Sequence, residues 1–235
     1  MIYLGQNISY KQKMKEYFKI LTKCPLFFQF NEAMMAAFLE ESDAKIQSYG
    51  KGATLVLRGD PSQQIGILLS GIAQIRQTDY AGNSVLLHQI LPGMLFGEAF
   101  TCAGHPFTVS VSAVKDSAVL WIDYQKIQYG FQNQSQTAVH VLSNLLRFLA
   151  EKNIFFTERI RHLSKRSLRE KVLSYLSGQS ALQNSLSFSI PLNRQELADY
   201  LAADRSALSA VLSKLQNEGV LTFHKNHFTL TKSAD

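Results

Sequence analysis

Several features are scarce in this chain, and each scarcity excludes something. Its 235 residues include two cysteines, Cys24 and Cys102. Two cannot build a disulfide framework or supply the four thiolates of an iron–sulfur cluster; they read as small buried residues. No apolar run approaches the roughly 18 residues needed to cross a bilayer. The first residues lack the basic-then-apolar pattern of a secretory signal, so the expectation is a cytoplasmic protein without membrane contact. The six histidines are scattered: His88, His105, His140, His162, His224 and His227. No His and carboxylate cluster of metal-ligand spacing emerges, which argues against a metal-dependent, cupin-like enzyme. Acidic residues are outnumbered, 18 against 24 basic, for a net charge of +6. That balance suits an anionic partner. With 46% hydrophobic and 18% charged residues, the chain has the make-up of a globular protein long enough for two domains.

The strongest positive signal is NRQELADYLAADRSALSAVLSKLQNEGVL, residues 193–221. Asn193 and Glu196 form a capping pair at a helix start. Leu197 and Leu201 lie four apart on its inner face, and the chain breaks at Ala202–Ala203. Asp204 can cap the next helix, where Leu208, Val211, Leu212 and Leu215 recur at helical spacing and Gly219 ends the run. Two short helices around a tight turn, the second with a small and polar outer face, spell a helix-turn-helix. After it, VLTF, HKNH and FTLT read as a β-hairpin. Before it come a strand at Ser185–Ile190 and a helix that Ser167 and Glu170 open and Gly178 ends. Helix, strand, helix-turn-helix and hairpin is the order of a winged helix.

Residues 44–122 differ in character. Short apolar stretches recur between Gly50, Gly52, Gly59, Gly71, Gly82, Gly93 and Gly97, with Gly82-Asn83 as a hairpin turn signal. About eight strands in two sheets would make a jelly roll. Asn31–Glu41 reads as a helix capped by Asn31. Between Ser135 and Leu163 there is no Gly or Pro. There Leu142, Leu146, Leu149, Asn153, Phe156, Ile160 and Leu163 alternate spacings of four and three, a heptad seam with one polar residue. A parallel pair of such helices would set two recognition helices about 34–36 Å apart. From Glu158 to Lys171, six Lys/Arg face two Glu; the stretch reads either as a phosphate contact or as a solvated hinge.

The pieces YGKGATLVLRGD, GILLSGIAQI, LPGMLFGEAF and NRQELADYL, DRSALS, LQNEGVL, in that order, resemble the Crp/Fnr family of bacterial transcription regulators. The resemblance runs from about Cys24 to Thr231. It implies an α+β chain in three parts: a jelly-roll effector-sensing domain with N-terminal helices (1–133), a dimerisation helix (134–163) and a winged helix-turn-helix domain (164–235). Its expected partners are double-stranded DNA at a palindromic operator, a second copy of the chain, and RNA polymerase. Arg205, Ser206, Ser209 and Ala210 fall at the base-facing start of the recognition helix. There Arg205 takes either a guanine or a phosphate, with Asp204 beside it and Arg194 and Gln195 as phosphate contacts. Ser206 stands where many members have Glu, Ala210 where they have Arg, and Ala202 where the turn Gly is usual.

In the family's cyclic-nucleotide binders, a Gly-Glu pair precedes an Arg and a Ser that clamp the phosphate. Gly97 and Glu98 match the pair, but Phe107 and Thr108 stand at the clamp. No Lys or Arg occurs between Arg76 and Lys115. A buried phosphate needs a cation, so cyclic AMP is not the expected effector. The resemblance places Phe156 and Thr157 across the pocket, which suggests a small, partly hydrophobic ligand. Cys102-x-x-His105 offers two metal or haem ligands with no third; the alternative is a structural Cys and a surface His. Other readings are a cyclic-nucleotide-responsive regulator of the same fold, a cupin-like enzyme, or a helix-turn-helix that binds only protein. The effector, the operator and the sense of regulation are not encoded in any motif.

Overall fold

The computed structural model describes residues 16–78 and 84–231. The chain forms two compact units, Met1–Ala150 and Glu151–Asp235. In the first, residues 16–21 are helical, and a 3-10 turn at Pro25–Phe27 leads to α1 (Glu32–Glu41). The Asn31 side chain accepts the Met34 N–H at 2.8 Å and starts α1, as the sequence predicts. Eight strands follow: β1 (Lys45–Tyr49), β2 (Thr54–Val56), β3 (Gln64–Ser70), β4 (Ala73–Thr78), β5 (Ser84–Ile90), β6 (Leu95–Phe96), β7 (Ser110–Ala113) and β8 (Ser117–Asp123). They form two four-stranded antiparallel sheets, β1-β8-β3-β6 and β2-β7-β4-β5, the expected jelly roll. The Gly82-Asn83 turn lies outside the described residues.

The near-continuous apolar run of β3 has a simple cause: both faces of its sheet are covered. Ile65, Ile67 and Leu69, with Leu120 and Ile122 of β8, face a core completed by Leu26, Phe27, Phe38, Val141 and Leu145. Leu68, with Val119 and Trp121, faces the other sheet. Gly66 shares that inner face, and a Cβ there would lie 2.3 Å from the Phe96 ring. Glycine is thus required by the aromatic side chain that fills the space. Two further helices belong to the β-domain, α2 (Glu98–Ala103) and α3 (Tyr124–Gln132).

The gap-free stretch after Ser135 is one helix, α4 (Gln136–Leu163), and the division between the units falls inside it. Its first half is anchored by Val141 and Leu145 and by a buried Asn144. The Asn144 amide donates to the Leu26 and Phe28 carbonyls at 3.0 and 2.9 Å. One carbonyl of the Pro25–Phe27 turn and that of the residue after it are satisfied in this way. The predicted seam lies to one side of this anchor. Leu146 is 70% exposed and Ile160 64%; Asn153 and Phe156 are exposed, while Leu142, Leu149 and Leu163 are half-buried. Val139, also exposed, extends the 3–4 alternation by one step at its start.

The second unit continues with α5 (Leu168–Gln183), β9 (Ser187–Ser189), α6 (Arg194–Tyr200), α7 (Arg205–Asn217), β10 (Leu221–His224) and β11 (His227–Leu230). Its sheet has the order β10-β11-β9, all antiparallel. Ser167 and Glu170 form the predicted capping box. Gly178 does not end α5, contrary to the sequence reading. The helix runs on to Gln183 and closes on Asn184, whose φ is 47°. Gly178 instead lies against α4, where a Cβ would meet the Arg161 guanidinium at 3.4 Å and the His162 ring at 3.7 Å. That contact is invisible in local sequence.

No helix among the described residues is long and apolar enough to cross a membrane.

Candidate nucleic-acid interface

The helix-turn-helix is built from local signals that all agree. The Asn193 side chain accepts the Gln195 and Glu196 N–H groups, and Glu196 returns a bond to the Asn193 N–H at 2.7 Å. Leu197, Leu201, Leu208, Leu212 and Leu215 are fully buried, and Val211 packs against them. The turn needs a left-handed residue, and Ala202 supplies it at φ 50°. A Cβ in that conformation costs about 1 kcal/mol relative to glycine. The turn is held by the Ala203 N–H donating to the Ala198 carbonyl at 3.0 Å.

One expectation fails here. Asp204 precedes α7 with extended backbone, but its side chain makes no capping bond. Only its carbonyl enters the helix, accepting the Leu208 N–H at 2.9 Å.

The outer face of α7 carries Arg205, Ser206, Ser209, Ala210 and Ser213, all exposed. Gln195, Asp199, Ala203, Asp204, Arg205, Ser206 and Ser209 line an open groove of about 660 Å³. Five of the seven residues singled out for DNA therefore share one surface, and Ala210 is exposed further along the same helix. Gln195 donates to the Asp199 carboxylate at 2.9 Å, and Ser209 to the Arg205 carbonyl at 2.9 Å. The Arg205 guanidinium has no hydrogen-bond or ion-pair partner among the described residues.

Arg194 instead turns to the hairpin. Its guanidinium lies 5.0 Å from the Phe223 ring centroid and 5.8 Å from that of Phe228, and it donates to the Lys225 carbonyl at 3.2 Å. Burial, and then the Arg205 charge, lower its pKa from the usual guanidinium value. Arg194 ties the start of α6 to the wing. The wing turn is Lys225–Asn226, with Lys225 at φ 54°; His224, Lys225, Asn226 and His227 at its tip are exposed. The His227 ring is held at both nitrogens, by Ser187 and Ser189 at 3.0 Å each.

The basic stretch at the end of α4 does not act as one unit: some of its cations are tied to the fold and others are exposed. Arg159 donates to the Tyr200 and Asp199 carbonyls at 3.0 Å and closes the C-terminus of α6, where cations are favoured. Arg161 pairs with Glu158, and Arg169 with Glu218 at 2.6 Å. Lys165 and Arg166 are exposed. Arg159 is a structural residue that sequence reasoning missed, because its partners lie 40 residues away. Beside it, His162 is buried against Tyr175 and Tyr200 at ring distances of 5.7 and 6.1 Å, and its Nδ1 meets the Ser174 hydroxyl at 2.9 Å.

In the β-domain, Gly97 (φ 83°) opens α2, and Glu98 is buried behind it. Phe107 is 6% exposed. Its ring lies 5.3 Å from that of Phe100 and against Gly97. Its backbone pairs with the Gly59–Asp60 segment, donating to the Asp60 carbonyl at 3.1 Å and accepting the Gly59 N–H at 2.8 Å. Thr108 is exposed.

The same pairing brings Arg58 beside Ser110, whose hydroxyl accepts the Arg58 N–H at 3.0 Å. A scan for nearby cations along the sequence misses Arg58 because it lies on an earlier strand loop. Its guanidinium donates to the Thr78 carbonyl at 2.7 Å, and Arg76 donates to the Ser84 hydroxyl at 3.2 Å.

Burial raises the Cys102 thiol pKa, and the neighbouring Tyr124 hydroxyl partly opposes the rise. Burial pushes Cys24 up to about 12. His105 is exposed, as are Phe156 and Thr157 on α4. Among the described residues, no group of three or more His, Cys, Asp or Glu is arranged to hold a metal ion.

A two-sheet β-domain, a long helix and a winged helix-turn-helix define a class, that of a jelly-roll domain joined to a DNA-binding domain. Comparison with known proteins agrees. Residues 46–134 match the cyclic nucleotide-binding domain, and residues 145–234 the Crp-like helix-turn-helix domain. Together these take in most of the chain, which belongs to the Crp/Fnr family of DNA-binding transcription regulators, not to an enzyme family.

Among curated relatives, the transcriptional activator protein FnrL of Cereibacter sphaeroides is 26% identical over 80% of this chain and 77% of its own. The transcriptional regulator LdrP of Thermus thermophilus is 23% identical over 75% and 87%. Of solved structures, a putative cAMP-binding regulatory protein from Silicibacter pomeroyi superposes with a TM-score of 0.52 at 20% identity. It covers 94% of this chain and 96% of its own, and shows the shared fold alone.

Proposed function

We propose that this chain is a homodimeric, sequence-specific transcription regulator that reads a palindromic operator with α7. The observation that carries the reading is the outer face of α7. Its inner leucines are buried, while Ser206, Ser209 and an Arg205 guanidinium without a partner among the described residues open into a groove of about 660 Å³. Arg205 is suited to a guanine, and Gln195 to the backbone. The stripe of exposed Val139, Leu146, Asn153, Phe156 and Ile160 with half-buried Leu142 and Leu149 supports pairing of two α4 helices, residues 134–163 serving as the dimerisation helix. Asn153 favours a single register. RNA polymerase is the further partner through which such a regulator would act.

The effector would bind in the β-domain by Gly97, Glu98, Phe107 and Thr108. The buried Phe107 ring argues against a cyclic nucleotide, because it stands where nucleotide-binding members of the family carry an arginine. A smaller, partly apolar effector suits the site better. It would act by favouring one arrangement of the paired recognition helices over another, since equal affinity for both shifts nothing.

Selection of DNA from a random pool by the purified chain tests the reading. A palindromic motif should be enriched, with affinity falling steeply as salt rises. Calorimetric titration with cyclic AMP and cyclic GMP should show no micromolar binding. Failure to enrich any motif would remove the DNA reading, and micromolar binding of either nucleotide would overturn the view of the effector.

A further inference from the structure

The reading face carries a carboxylate that a DNA backbone cannot explain. Asp204 is exposed, lines the same groove as Arg205, Ser206 and Ser209, and leaves its side chain out of the α7 cap. The other two helix starts in this unit behave differently: Ser167 and Asn193 commit their side-chain oxygens to their own helices. The second carboxylate of the groove, Asp199, is already held by Gln195. Asp204 has no side-chain partner among the described residues.

An anion does not contact phosphate, so the donors that DNA offers a carboxylate on this face are those of base edges. In the major groove those donors are the cytosine N4 and adenine N6 amino groups. The adenine amino group lies beside N7, an acceptor that repels a carboxylate, whereas the cytosine amino group lies beside a C–H. Read across the groove, a C·G pair offers one donor and then two acceptors, N4, O6 and N7. Asp204 followed by Arg205 offers one acceptor and then two donors.

We propose that Asp204 and Arg205 together read one C·G pair. Asp204 accepts a hydrogen bond from the cytosine amino group, and Arg205 donates to the guanine. Asp204 is then a specificity residue, and the inference rests on the DNA reading of α7 given above.

The test uses the full chain and the half-site that selection yields. Each cytosine is replaced in turn by 2-pyrimidinone, which pairs with guanine and keeps its O6 and N7 exposed but lacks the amino group. At one position the parent protein should bind about tenfold more weakly. Asp204→Ala should bind both duplexes equally, while Arg205→Ala should still distinguish them. Asp204→Ala removes no capping bond, and a thermal melt equal to that of the parent confirms that it folds. If the parent is indifferent to the replacement at every cytosine, the proposal is wrong. It is equally wrong if Asp204→Ala tightens binding to all sequences and leaves base preference unchanged, since the carboxylate would then only repel the backbone. A parent chain that enriches no motif removes the DNA reading as well, which is a distinguishable result.

Discussion

Leu146→Asp is expected to give a monomer that no longer holds a palindromic site. Leu146 is 70% exposed in the protomer, so a polar replacement leaves the protomer's own packing intact. In a paired α4 seam the same position would place a charge between two apolar stripes with nothing to neutralise it, and desolvating such a charge is strongly unfavourable. The comparison with Leu149 is instructive. Leu149 is half-buried and packs partly on the β-domain core, so Leu149→Asp would damage protomer and dimer at once. Sedimentation equilibrium should show the Leu146→Asp protein at protomer mass. Its affinity for the full palindrome should fall by about 10²–10⁴-fold, the advantage that linkage of two half-sites confers. A variant that still sediments as a dimer would place the interface elsewhere.

Arg205→Ala should weaken binding to the selected operator by about 1–3 kcal/mol while leaving binding to scrambled DNA nearly unchanged. The side chain is exposed and makes no hydrogen bond or ion pair among the described residues, so its loss carries no folding penalty to confuse the result. The alternative role is a phosphate contact. That role would weaken cognate and scrambled DNA alike and lower the salt slope by about one. Measuring both affinities across a salt series separates the two. Arg194 makes a useful contrast. Stacked on Phe223 and Phe228, its truncation would loosen the wing and alter the melting temperature as well as binding.

The parts of this fold that were legible in the sequence are those encoded locally. Both predicted capping boxes, the leucine spacing of α6 and α7, and the gap-free α4 depend on residues three or four apart, and each formed as read. The two-sheet β-domain was legible from turn spacing alone. Its strands do not alternate simply, because β3 and β8 are covered on both faces and assign successive side chains to two different cores. The sequence reading failed where a partner came from far along the chain. Gly178 looked like a helix stop, but it accommodates Arg161 and His162. The basic run after Glu158 reads as a phosphate contact or a solvated hinge, yet Arg159 is taken up by the end of α6. Arg58 is not legible as a neighbour of the Phe107–Ser110 segment, because only the pairing of β2 with β7 brings it there. Asp204 failed differently: its position permits a cap, but its side chain was left available to the groove.

The burial of His162 ties the winged unit to proton concentration. Desolvation, reinforced by Arg161 and Lys165 and opposed by Glu158, holds its imidazole pKa below the ordinary 6.5. Tyr175 of α5 and Tyr200 of α6 face it as neutral rings, their own pKa values raised by burial. Well above pH 6.5 the ring is neutral whether the unit is folded or not, and the imidazole exerts no pH-dependent effect. As pH falls below 6.5, the unfolded chain takes up a proton that the folded unit refuses. Stability then declines, and the decline ends once the folded imidazole is protonated too. Urea unfolding followed between pH 8 and pH 5 should show this fall. His162→Gln, which keeps a partner for Ser174 without a titratable ring, should lose less stability over the same interval. Identical pH profiles for the two proteins would show that the imidazole does not set the response.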